Sequence, residues 1–158
     1  MTSPPAAHPD LPDDLAPLLR HLEAAYPDEG CGVVLRKVAG GALRVRLMEN
    51  AYDRYRALEP ESFPRTARTA YLLDPKEQLA LYREAEAAGE EICCIFHSHA
   101  DAGAYFSPED RRQALLEGEP VVPGASYLVV AVDQGRATAA RLYRFEGGDF
   151  LETLVPLP

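Results

Sequence analysis

The chain has 158 residues, with 16 Lys and Arg against 25 Asp and Glu, giving a formal net charge of −9. At 47% hydrophobic and 26% charged residues it has the composition of a globular domain, which excludes disorder over the whole length. Its longest apolar run, Tyr127 to Val132, is far below the roughly 18 residues that a membrane span needs, and the acidic balance argues against nucleic acid, whose phosphates call for a basic face.

In chain order, residues 1–10 are rich in Pro and Ala and read as a flexible tail without the features of a secretory leader, so the ordered domain is expected over 11–158. Leu11, Leu15, Leu18, Leu19, Leu22 and Tyr26 recur at helical spacing and place a first helix over about 12–26. Two β-rich runs, 33–38 and 42–48, flank Gly40-Gly41 and predict a hairpin. Residues 49–70 have no clear period and read as a long loop or short edge strand that holds Arg54, Arg56, Arg65 and Arg68. Asp74-Pro75-Lys76-Glu77 is a helix start and Gly89 a helix stop, so a helix is expected over 75–88. The continuous apolar run 92–96 suits a central strand covered on both faces, delivering His97 to its end. Ser107-Pro108-Glu109-Asp110 starts a further helix over about 108–117. Strands are expected at 127–132, 137–145 and 150–154, joined by turns at Asp133-Gln134-Gly135 and Gly147-Gly148. The three cysteines form no disulfide framework, which fits a reducing, cytoplasmic compartment. Cys93 and Cys94 read as core residues pointing to opposite faces of the strand.

Two of the four histidines lie one residue apart in His97-Ser98-His99, directly after the apolar run. In an extended segment residues i and i+2 share a side, so both imidazoles can converge while Ser98 faces away. Asp110, in the first turn of the following helix, can return its carboxylate to the same point. Two His and one carboxylate form a three-ligand set typical of catalytic zinc, with a fourth position open to water. Taken singly, each half has a plainer explanation: a His-x-His pair is more often merely hydrogen-bonded, and Ser-Pro-Glu-Asp is how any capped helix begins.

Together, His97-x-His99, seven residues, Ser107, two residues and Asp110 resemble the JAMM signature of the MPN/JAB-domain metalloproteases. Glu29, in Pro27-Asp28-Glu29-Gly30-Cys31-Gly32, matches the glutamate that this family carries upstream. The order of elements from Leu11 onward looks like the compact bacterial type. The resemblance implies an α/β single domain, with a mixed curved sheet flanked by helices in a fold related to the cytidine deaminases. It implies one Zn2+ per chain held by His97, His99 and Asp110, with Glu29 as general base and Ser107 donating to the tetrahedral oxyanion. It further implies hydrolysis of the amide or isopeptide bond after the C-terminal Gly-Gly of a ubiquitin-like or sulfur-carrier protein, the carrier being favoured by the short chain; a homodimer is compatible with it. The arginines between 54 and 68 are candidates to meet an acidic carrier, although a solvated face explains them as well.

The sequence also departs from the family. Ala100 stands where proline is usual, and the loop 101–106 makes Tyr105 and Phe106 candidates for substrate contact, with packing of the loop onto the domain as the competing reading. A metal-free MPN scaffold that binds a partner protein is the alternative function, opposed by retention of Glu29, His97, His99, Ser107 and Asp110. A zinc deaminase needs a Cys-x-x-Cys ligand pair, which is absent. Cysteine-protease chemistry from Cys31 and His97 has only the residue types in its favour, and Cys31 reads better as a small core residue between two glycines.

Overall fold

Six strand-forming segments hydrogen-bond into one sheet, seen in a computed structural model that describes residues 8–158. The elements are α1 (Ala16–Ala25), β1 (Cys31–Lys37), β2 (Leu43–Met48), α2 (Tyr52–Leu58), α3 (Pro75–Ala88), β3 (Glu90–Ala100), α4 (Pro108–Ala114), β4 (Leu115–Leu116), β5 (Glu119–Pro120), β6 (Ser126–Asp133), β7 (Arg136–Glu146) and β8 (Asp149–Val155). The sheet order is β2-β1-β3-β6-β7-β8, with β4 and β5 paired separately. β3 and β6 run parallel and the other neighbours antiparallel, which makes the α/β sheet mixed, as expected. A parallel pair cannot be joined by a tight turn, and the connection between β3 and β6 contains α4.

Helix boundaries follow local chemistry. The Asp74 side chain accepts the Lys76 N–H, and Gly89 closes α3 at φ 67°, a left-handed conformation that side chains resist. α1 starts at Ala16 rather than near 12, because Pro17 lacks an N–H and is tolerated only in a first turn. α4 stops at Ala114 rather than 117: Leu115 is already extended, and Glu117 and Gly118 turn the chain with positive φ. Residues 52–58 are a helix, which corrects the loop or edge strand expected there. Tyr-Asp-Arg-Tyr-Arg-Ala-Leu is too short to show a period, but the Asn50 side chain receives the Tyr52 N–H, and Tyr52 and Tyr55 pack on Phe63.

Both faces of the sheet are covered. On one, Val33, Leu35, Ile95, Tyr127 and Val129 pack with Tyr71 and with Leu81 and Ala85 of α3. On the other, Val34, Phe96, Leu128 and Val130 pack with Leu18 and Leu22 of α1. Each fully buried leucine of this kind stabilises the fold by about 1.5–3 kcal/mol relative to exposure. Val34 pairs with Cys94 and Leu35 with Ile92, so Cys93 is an extra residue that bulges β3. Cys93 and Cys94 consequently both lie on the α1 side, correcting the expectation of opposite faces, and all three thiols are free and buried.

Of the stretch expected as a tail, residues 1–7 lie outside the described residues. Asp10 is buried and pairs with Arg36 at 2.7 Å. No helix among the described residues is long and apolar enough to cross a membrane.

Candidate metal centre

β3 runs on to Ala100, so His97 and His99 lie within the central strand rather than at its end. His97 stands between Cys31 of β1 and Val129 of β6, and His99 beside Ala131. Beyond the bulge the alternation is regular, and the two imidazoles project from one face while Phe96 and Ser98 take the other. Ser98 ties the neighbouring segment in place: its Oγ accepts the Gly30 N–H at 2.8 Å and its own N–H donates to Gly30 O at 3.0 Å. Glu29 is next in line. Its N–H donates to Ala67 O at 2.7 Å, and its carbonyl accepts from Asn50 Nδ2 at 2.8 Å.

The side chains then meet. His97 Nε2 and His99 Nε2 are 3.3 Å apart, Asp110 Oδ1 is 3.1 Å from the first, and Asp110 Oδ2 is 3.0 Å from the second. Ligand atoms of Glu29, His97 and His99 all lie within 4.8 Å of one another, a grouping that can hold a metal ion. All four side chains are buried. Gly103 O, which can only accept, sits 2.9 Å from His99 Nδ1, so that nitrogen carries a proton and Nε2 is the ring atom turned toward His97 and Asp110. The His97 ring stacks on Tyr71 at 4.3 Å.

Charge in this cluster is arranged for a cation. Burial pushes His97 below its ordinary value against the pull of Asp110, which favours the neutral ligand form. Burial alone would raise Asp110, but the charge and hydrogen bonds of the two imidazoles more than offset it and hold the carboxyl well below the usual range. Glu29 is pushed up to about 9, first by burial and then by the Asp110 charge, with Arg65 opposing. Glu29 Oε1 and His97 Nδ1 are buried without any hydrogen-bond partner. A buried carboxylate oxygen is seldom left unpaired, and a positive ion among these groups would answer it.

The other expected site residues fall in different places. Ser107 caps α4 reciprocally with Asp110: its Oγ accepts the Asp110 N–H and its N–H donates to Asp110 Oδ2, both at 3.0 Å. It also lines a cavity of about 150 Å3 together with Glu29, His99, Arg65, Arg68 and Tyr105. Tyr105 lies edge-on to His99 at 5.0 Å and remains 54% exposed. Phe106 is turned away into an aromatic cluster with Tyr127, Tyr143 and Phe150. The loop before it is tied down, because Asp101 accepts from Tyr26 OH and the Gln134 N–H while Tyr143 OH donates to Ala104 O.

Two residues that position the site escaped the sequence reading. Asn50 Nδ2 donates to the carbonyls of Glu29 and Ala70, and its Oδ1 accepts from the Tyr52 and Leu72 N–H groups, joining the Glu29 segment to the chain at 67–72. The available signal was its residue type just ahead of the short α2. Tyr71, the stacking partner of His97, gave no local signal because the pair is 26 positions apart in the chain.

The central strand, the segment before β1 and the first turn of α4 together bury two imidazoles and two carboxyl groups at one point, a centre of the class that can hold a metal ion. The chain belongs to the family described as prokaryotic homologs of the JAB domain, which matches residues 13–145. It is 30% identical over 135 residues to the CysO-cysteine peptidase of Mycobacterium tuberculosis, covering 85% of this chain and 80% of that one. It is 34% identical over 88 residues to the desampylase of Haloferax volcanii, covering 56% of each. Among solved structures, a protein from Desulfitobacterium hafniense shares the fold with a TM-score of 0.60 at 22% identity, over 91% of this chain and 88% of that one. A Salinibacter ruber protein matches with a TM-score of 0.51 at 26% identity, over 93% and 90%. By family and relatives the chain is an enzyme of the peptidase and isopeptidase class.

Proposed function

We propose that this chain hydrolyses the amide bond that follows the C-terminal Gly-Gly of a ubiquitin-like sulfur-carrier protein, using one Zn2+ held by His97, His99 and Asp110. The observation that carries the proposal is the convergence of the two imidazole nitrogens and the Asp110 carboxylate. Two donors bound about 2.05 Å from one ion at the tetrahedral angle lie about 3.3 Å apart, which is the 3.3 Å separation of the two imidazole nitrogens, and the Asp110 carboxylate faces both of them, Oδ1 at 3.1 Å from His97 and Oδ2 at 3.0 Å from His99. Two nitrogens and one carboxylate oxygen also suit zinc, and Asp110 arrives already oriented by Ser107. Zinc bound there supplies a Lewis acid and lowers the pKa of its water toward ~7.

The remaining work belongs to the chain itself. Glu29 Oε1, buried and unpaired, is the base: it accepts a proton from the attacking water and passes it to the leaving amine. A cation beside it opposes the burial and the Asp110 and Glu109 charges that push this carboxyl up, bringing it toward the range in which it can cycle between its two forms. Ser107 keeps its hydroxyl hydrogen free, since its Oγ acts as acceptor toward Asp110, and donates that hydrogen to the carbonyl oxygen as negative charge builds there. Tyr105, exposed over His99, flanks the incoming chain. A carrier is favoured because relatives are named a CysO-cysteine peptidase and a desampylase, and because a Gly-Gly tail can approach a buried centre without side-chain clash.

The test has two arms on full-length protein. Elemental analysis after purification without a metal-binding tag should give close to one zinc per chain, lost in Asp110→Ala. Incubation with a sulfur carrier extended by one cysteine after its Gly-Gly should remove that cysteine by mass, and Glu29→Gln should bind zinc but not cleave. No zinc uptake on titration would overturn the reading and favour a partner-binding scaffold.

A further inference from the structure

The small cavity beside Glu29 and His99 has an unexpected chemical character. In a chain of net charge −9, its lining includes two arginines, Arg65 and Arg68. Neither has a carboxylate within ion-pair distance among the described residues, whereas nearby Arg54 pairs with Asp74 and Arg112 with Glu109. Arg65 is fixed by donating from Nη1 to Thr69 O at 3.1 Å, which leaves the rest of its guanidinium fork free. It lies near enough to Glu29 for its charge to act on that carboxyl. The segment that carries both arginines is held to the site by the Glu29 N–H bond to Ala67 O and by Asn50, so their backbone is fixed relative to the reacting atoms. At about 150 Å3 the space takes a few heavy atoms, the size of one small amino acid rather than a folded partner.

We infer that Arg65 and Arg68 receive the free α-carboxylate of the leaving group, making the chain selective for a C-terminal amino acid over an isopeptide-linked lysine. This rests on the peptidase reading above. An ordinary anion is repelled by the overall charge, and two guanidinium groups without carboxylate partners give a short-range attraction confined to this cavity. A lysine in isopeptide linkage has its own carboxylate in a peptide bond and offers nothing to the pair.

The test compares two synthetic ten-residue peptides ending in Gly-Gly-Cys, one with a free C-terminal acid and one as the amide. Wild type is expected to cleave the acid with about tenfold or greater advantage in kcat/KM, expressed mainly in KM and shrinking as salt is raised. Arg68→Gln, which removes a side chain with no bond to the rest of the described protein, should bring the ratio near one when combined with Arg65→Gln, and Arg65→Lys with Arg68→Lys should restore part of it. Equal cleavage of both peptides by wild type, or a ratio unaltered in the double glutamine variant, would overturn the inference while leaving the peptidase reading intact. Cleavage of neither peptide would count against the peptidase reading. Binding of the same two peptides, followed by backbone amide shifts at 65–69, then decides the carboxylate subsite by itself: preference for the acid supports it and equal binding overturns it.

Discussion

Asn50 provides a sharp test of how the site is held, because it touches neither the imidazoles nor Asp110 and yet its amide ties four backbone groups together. Its Nδ2 donates to Glu29 O at 2.8 Å and Ala70 O at 3.0 Å, and its Oδ1 accepts from the N–H groups of Tyr52 at 3.0 Å and Leu72 at 3.1 Å. Replacing it by Ala removes four bonds at a half-buried position, and at a net value of roughly 0.5–1.5 kcal/mol each the loss is about 2–6 kcal/mol. For a domain of this size, at about 2–4 °C per kcal/mol, that lowers Tm by about 4–24 °C. Asn50→Asp discriminates further: it keeps the two accepted bonds but turns the donor into an acceptor facing two carbonyls, so it should destabilise at neutral pH despite identical shape. Thermal melts by circular dichroism give the stability of both variants, and zinc content with kcat reports the site. The expected pattern is retained zinc with reduced kcat, since Glu29 is displaced while His97, His99 and Asp110 are not. A Tm within about 2 °C of wild type for Asn50→Ala would refute the reasoning.

Gly32→Ala should abolish folding or cost several kcal/mol, because a Cβ there would come within 2.2 Å of the Phe96 ring and 2.6 Å of Arg46 O, and expression with a melting curve checks it. The thiols of Cys31 and Cys93 are pushed up by burial to about 12 and about 11, and Cys94 is raised in the same direction. With folded values above the unfolded one near 8.5, the stability these groups contribute is fully present below about pH 8.5 and falls as pH rises toward 11–12; alkylation by iodoacetamide at pH 8 should therefore track unfolding alone, and fast labelling of native protein would contradict it. Deleting Cys93 should leave a folded chain with zinc bound, since Leu35 already faces Ile92 and Val34 faces Cys94, whereas deleting Val129 from β6, which pairs without a bulge there, should unfold it; soluble yield and zinc content separate the two.

Most of the site was legible in the sequence because its geometry is local. A strand fixes His97 and His99 on one side by its period of two, and a helix start fixes Ser107 and Asp110 three apart, so two short motifs determine four side chains. The strands and α3 were legible for the same reason, through alternation and through Asp74, Pro75 and Gly89. What escaped was non-local. Tyr71 under His97, Asn50 across to Glu29, and the turning of Phe106 into Tyr127 and Tyr143 are each set by tertiary packing between distant parts of the chain. The Cys93 bulge escaped because an extra residue in one strand is visible only against its partner's register. α2 escaped because seven residues are two turns, too few for a periodic signal.

The bulge also bears on why the centre sits where it does. Ile92 and Ile95 are three apart, yet both pack on the α3 side, which a regular strand forbids; the extra Cys93 between them permits it. From Cys94 onward β3 is paired with β6 residue for residue, and from Cys94 to His97 with β1 as well, so neither imidazole can shift register without breaking ladders on both sides. Into this rigid frame the chain inserts a carboxyl oxygen without a partner at Glu29 Oε1 and a buried His97 whose Nδ1 is likewise unpaired, neither of which stabilises the fold on its own account. The surrounding layers of apolar side chains hold both groups in place against that cost. Any cation that binds the folded form alone then raises stability by RT ln(1 + [L]/Kd), about 2.7 kcal/mol at a hundredfold excess over Kd. The partnerless Glu29 Oε1 and the grouping of donor atoms that could hold a cation are therefore two expressions of one arrangement.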